Sequence, residues 1–91
     1  MKVRWSPEAK EDLQSIYRHI ARDSSNSAAA TALRLVEGIE SLRTFPQRGR
    51  TSRIFGSREL VFAPLPYIAV YRIVGDVVDV SRIFHAAQDW P

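Results

Sequence analysis

Apolar residues recur at helical spacing through the first half of the chain and at alternating positions through the second, with the change of period near Phe45-Pro46. Lys2-Val3-Arg4-Trp5 alternates polar and apolar side chains, as a short half-buried strand does. Ser6 and Pro7 follow as a helix N-cap and a first-turn proline, whose missing N–H costs nothing at that position. Ala9, Leu13, Ile16, Tyr17 and Ile20 then mark one apolar face, with Lys10, Glu11, Gln14 and Arg18 turned away from it. Glu8, Glu11 and Asp12 lie near the start of this helix and Arg18 and Arg22 near its end, the order that the macrodipole favours.

Asp23-Ser24-Ser25-Asn26-Ser27 is a cluster of turn and cap residues. After it Ala32, Leu35, Val36, Ile39 and Leu42 trace a second helical stripe, so the two helices form a hairpin. Gly38 stands inside that stripe, where glycine costs roughly 1 kcal/mol relative to alanine. Either it permits close approach of a neighbour or it is simply tolerated, and tolerance is the favoured reading.

Phe45-Pro46 ends the second helix, and Gln47 to Gly56 reads as a polar, arginine-rich connection with Gly49 and Gly56 as breakers. Three strand-like runs follow: Glu59 to Phe62, Tyr67 to Val74, and Val77 to His85. Gly75-Asp76 between the last two is a hairpin signal. The predicted order is β-α-α-β-β-β, one α+β domain over residues 1–91 with the helix hairpin packed on one face of a small, mainly antiparallel sheet. Strict alternation puts Ile68, Val70, Arg72 and Val74 on one face of the third strand. In the fourth it groups Val78, Val80, Arg82 and Phe84 against Val77, Asp79, Ser81, Ile83 and His85.

Composition narrows the chemistry. A chain of 91 residues has room for one core, and the absence of cysteine excludes disulfides, thiolate nucleophiles and Cys-based metal sites. The N-terminus has no continuous apolar run of the secretory kind, and LVFAPLPYIAVY is too short to span a bilayer as a helix. A soluble, cytoplasmic protein without a membrane partner is the expectation. Of 13 basic residues 11 are arginine, and the formal charge is +3. Arg43, Arg48, Arg50, Arg53 and Arg58 follow one another with no intervening acid, which makes this segment the place to look for an anionic partner.

Arg72 and Arg82 fall among apolar neighbours, either pairing with a structural carboxylate such as Glu59 or forming a positive field on the open face of the sheet. Arg48, Arg50 and Arg53 are spaced for phosphate contacts, or for an acidic protein segment. His85 has the right ordinary pKa range for acid–base work, and it is equally placed to pack at a strand end. His19 reads as a surface residue. No pair of histidines or carboxylates has metal-ligand spacing and no P-loop or Rossmann pattern occurs, so neither a metal nor an organic cofactor is expected.

The pattern W-S-P-E-A-K-E-D-L-Q-S-I-Y-R-H-I-A, the connection F-P-Q-R-G-R, the segments R-E-L-V-F and P-Y-I-A-V-Y-R-I, and the ending I-F-H-A-A-Q-D-W-P together resemble the RelE/ParE superfamily of toxins from bacterial type II toxin–antitoxin systems. The resemblance covers essentially the whole chain. It implies the fold derived above and an antitoxin partner that wraps the toxin. It also implies one of two activities: ribosome-dependent cleavage of mRNA, as in RelE-like and YoeB-like members, or inhibition of DNA gyrase, as in ParE-like members.

On the ribonuclease alternative, Arg58, Arg72 or Arg82 would hold the phosphate and His85 would be the general acid. The loop around Gln47, Arg48 and Arg50 offers neither the glutamate nor the lysine base of those members, and Ala86 stands in place of a tyrosine. P-Y-x-x-x-Y-R, the histidine and the Trp-Pro ending are ParE-like. That branch is favoured, with His85 a structural residue and Arg48, Arg50, Arg53, Arg58, Phe84 and Trp90 forming the target-contact surface.

Overall fold

A computed structural model describes residues 1–87. Strand β1 (Lys2–Trp5) leads into helices α1 (Pro7–Ala21) and α2 (Ser25–Glu40), and α2 tightens into a 3₁₀ turn at Ser41–Arg43. Strands β2 (Arg50–Thr51), β3 (Arg58–Val61), β4 (Tyr67–Val74) and β5 (Val77–His85) complete a five-stranded sheet in the order β1-β5-β4-β3-β2. β1 runs parallel to β5 and every other pairing is antiparallel. The one element not foreseen is β2, which pairs Arg50 with Glu59 and Thr51 with Arg58 inside the segment read as a loop. No described helix is long and apolar enough to cross a membrane.

The helix hairpin covers one face of the sheet. Ala9 of α1 and Leu35, Ile39 and Leu42 of α2 and its final turn are fully buried against Leu60, Ala69, Tyr71, Val78, Val80 and Ile83. Val3, Trp5, Leu13, Ile16 and Ile20 pack around this core, as their spacing foretold. Gly38 corrects the sequence reading. A Cβ there would lie 2.4 Å from Cε1 of Phe62, so glycine is needed for the close approach of that ring.

A second correction concerns β5. Its register against β4 slips between Val70 and Tyr71, since Val70 faces Arg82 while Tyr71 faces Val80, leaving Ser81 as the extra residue of a bulge. The bulge reverses the alternation beyond it. Val78, Val80 and Ile83 all enter the core, and Arg82 and Phe84 lie opposite Val70 and Ile68, with the Arg82 guanidinium turned back to Asp12 of α1. Two serine hydroxyls hold the slip. Ser81 Oγ donates to Val70 O at 3.0 Å, and Ser6 Oγ donates to Ser81 O at 2.8 Å while accepting from Ala9 N–H at the start of α1. One hydroxyl therefore caps the helix and fixes the bulge.

Candidate functional site

The loop between α2 and β2 is built around Tyr71. Its ring is fully buried, and its hydroxyl donates to Pro46 O at 2.7 Å and accepts from Gly49 N–H at 2.9 Å. Burial raises the Tyr71 pKa, against smaller opposing effects from the Gly49 N–H and the Arg58 and Arg48 charges. Beside the loop, Arg58 donates to Gly49 O at 2.7 Å and to Gln47 Oε1 at 2.8 Å. Arg48 donates to Ser41 Oγ at 2.6 Å, at the end of α2. Arg58 faces Tyr71 across the β3–β4 pair, so it belongs to the helix-covered side and not to the open face.

The open face carries a different set. Glu59 is buried, and its Oε1 accepts both Nε and Nη2 of Arg50 at 3.1 and 2.9 Å while its Oε2 accepts from Ser52 Oγ. Arg72 donates to Ser57 Oγ at 3.3 Å. Arg82, beyond the end of the β1–β5 pairing, leaves the open face: it lies 4.9 Å from the centre of the Phe84 ring and grips Asp12 of α1 through Nε at 2.7 Å and Nη2 at 3.0 Å. Hydrogen bonding to Asp12 raises the Arg82 pKa further, despite the opposing effect of burial. The same carboxylate accepts the Ile83 N–H at 2.9 Å. Arg82 therefore does pair with a carboxylate, but Asp12 takes the place expected for Glu59, and Glu59 belongs to Arg50. Arg53 is exposed on the turn after β2.

His85 ends β5 opposite Tyr67, edge to face with its ring at 5.5 Å between centres. Its Nδ1 accepts the Ala87 N–H at 3.1 Å, which requires that nitrogen to be unprotonated, so a proton on the neutral ring sits at Nε2. With Asp12, His19, Tyr67 and Arg82 it lines an open cavity of about 290 Å³ between α1 and the end of β5. Among the described residues no cluster of three or more potential metal ligands comes together. Trp90 lies outside the described residues.

Sequence reading thus named the arginines but not their companions. Asp12, Gln47, Ser57 and Tyr71 do the holding, and Asp12, just off the α1 stripe, stands 70 positions from Arg82.

Removing the Tyr71 hydroxyl tests this arrangement. Tyr71→Phe leaves Gly49 N–H and Pro46 O without their partner and should cost about 1.5 kcal/mol at neutral pH. Because the folded-state tyrosine pKa lies above its unfolded value, the unfolded chain loses its proton first as pH rises past about 10, and stability falls there. Burial raises Tyr67 in the same direction. Tyr71→Phe should therefore flatten, without abolishing, the alkaline decline in urea-unfolding free energy.

The family described as ParE toxin of type II toxin–antitoxin system, parDE, matches residues 3–90. The chain belongs to the ParE toxin family. It is 38% identical over 90 residues to Y4kP of Sinorhizobium fredii, a match spanning 99% of this chain and 93% of the relative. It is also 38% identical over 87 residues to Toxin RelE2 of Caulobacter vibrioides, across 96% of this chain and 97% of that one. A solved chain of the chromosomal ParDE toxin–antitoxin system from P. aeruginosa superposes with a TM-score of 0.85 at 27% identity, over 93% of this chain and 95% of the other. The helix hairpin on a small sheet is thus shared with a ParDE protein.

Proposed function

We propose that this ParE-family toxin stops growth by binding a macromolecular target, DNA gyrase, and that a cognate antitoxin protein holds it inactive. The gyrase target is what the ParE-like sequence features imply. The observation that carries a binding mode of action is the disposition of the arginines.

Cleavage of RNA through its own 2′-hydroxyl needs a base, an acid and cations converging on one phosphate. Here Arg58 is bound into the α2–β2 loop on the helix-covered side, Arg72 sits on the opposite face, and Arg82 is clasped by Asp12. The carboxylates near these arginines are engaged as well, Glu59 with Arg50 and Asp12 with Arg82. His85 has its Nδ1 turned to the Ala87 backbone, in keeping with a structural role at the strand end. What remains at the surface is a basic protein with apolar side chains exposed beside its arginines, suited to an acidic partner surface.

Induction of the chain without antitoxin tests the mode of action. DNA-damage signalling should appear before translation arrest, and His85→Ala and Arg58→Ala should still arrest growth. New 5′ ends within translated mRNA, detected by primer extension and lost in His85→Ala, would instead identify a ribosome-dependent endoribonuclease.

A further inference from the structure

The turn joining β2 to β3, residues 52–57, carries the most exposed large apolar side chain of the described residues: Phe55 is 97% exposed, and its neighbour Ile54 is 37% exposed. A phenylalanine ring so placed forgoes all the free energy that burial supplies. The backbone beneath it is nonetheless tied by three hydrogen bonds. Ser52 N–H donates to Ser57 O, Ser57 N–H to Ile54 O, and Ile54 N–H to Ser52 Oγ. Ser52 and Ser57 are buried, and each is anchored from the sheet: Ser52 Oγ donates to Glu59, and Ser57 Oγ accepts from Arg72. Gly56 takes the left-handed conformation that closes the turn, with φ +80°. A slack loop would fold its ring against the domain, whereas this one holds the ring outward on a preorganised support.

Charge indicates what the ring meets. Arg53 precedes it at the surface, Arg50 and Arg72 stand at the base of the turn, and the acid nearby, Glu59, is buried beneath Arg50. An aromatic knob rimmed by arginines is the anatomy of a protein-binding hot spot. A nucleic acid fits less well. Ile54 offers no flat face for base stacking, and Arg50 and Arg72 are already engaged by Glu59 and Ser57, which leaves Arg53 as the turn's free phosphate contact.

We propose that Phe55, with Ile54 beside it, is the anchor by which the toxin docks on its protein target, entering an apolar pocket rimmed by carboxylates. The inference rests on the binding mode of action proposed above and adds the point of contact. Phe55→Ser, Phe55→Trp and Arg53→Glu are compared with the unsubstituted chain for growth arrest on induction, thermal melting, and affinity for purified gyrase subunits without DNA.

Phe55→Ser should melt within a few degrees of the unsubstituted chain, lose growth arrest, and bind gyrase about 30-fold more weakly or worse. Arg53→Glu should weaken binding about tenfold, and Phe55→Trp should keep arrest. Full arrest by a folded Phe55→Ser overturns the proposal, and so does binding that appears only when DNA is added. If the unsubstituted chain ignores gyrase while Phe55→Ser still abolishes arrest, the gyrase assignment fails and the anchor stands.

Discussion

Gly49→Ala should be among the most damaging single-methyl additions the chain can receive, lowering stability by about 3 kcal/mol. The added Cβ would lie 2.7 Å from both Cε1 and the hydroxyl of Tyr71, and 2.9 Å from the Glu59 carbonyl oxygen. None of these atoms can withdraw easily. Tyr71 is fully buried in the core, and Glu59 belongs to the paired β3 backbone. Relief requires the loop to lift, which breaks the Gly49 N–H bond to Tyr71 and the Arg58 bond to Gly49 O. For a domain of this size the loss corresponds to a melting temperature lower by roughly 15 °C.

Gly38→Ala supplies the comparison. There the clash is with the Phe62 ring alone, and alanine returns about 1 kcal/mol of helix propensity, so its net cost should be clearly smaller. Calorimetric melting of both variants tests the order. Equal melting temperatures would show that the Gly49 loop is not fixed by Tyr71.

Asp12→Ala should cost about 2 kcal/mol. One carboxylate accepts the fork of Arg82 and the backbone N–H of Ile83, joining α1 to β5 just beyond the bulge. The Arg82 side chain is about half exposed, so water replaces much of what that ion pair loses. The Ile83 amide is part-buried and loses its acceptor outright. Asp12→Asn keeps one acceptor oxygen and should lose about half as much. Beyond the free energy of unfolding, hydrogen exchange at the Ile83 amide should quicken selectively in Asp12→Ala, since the end of β5 loses its tie to the helix. Unchanged exchange there would mean that β5 is held by its pairing with β4 alone.

The helix hairpin was legible because Ser6-Pro7 and Ser24 mark starts that the structure uses. Both serine hydroxyls accept the N–H three residues on. The long strands were legible from apolar runs and from Gly75-Asp76, where Gly75 takes φ +60°. The bulge was missed because strict alternation carries its phase past any slip. Its trace lay in the spacing of Val78, Val80 and Ile83, where two polar residues separate the last pair.

β2 is only two residues long, too short to show a period, and Gly38 is explained by a ring 24 positions away that no local pattern reveals. At the site, charge picked out the arginines, but the loop that binds Arg58 on the helix-covered side is ordered by the buried Tyr71. That contact joins residues 22 positions apart, and neither end announces it.

The most direct test of a toxin that acts by binding is an in vitro supercoiling assay in which the purified chain is titrated into gyrase, relaxed plasmid and ATP, with and without antitoxin. Inhibition that saturates near one toxin per binding site, persists in His85→Ala and disappears when antitoxin is added is the expected result. Unimpaired supercoiling at every toxin concentration, from protein that still arrests growth on induction, would contradict it.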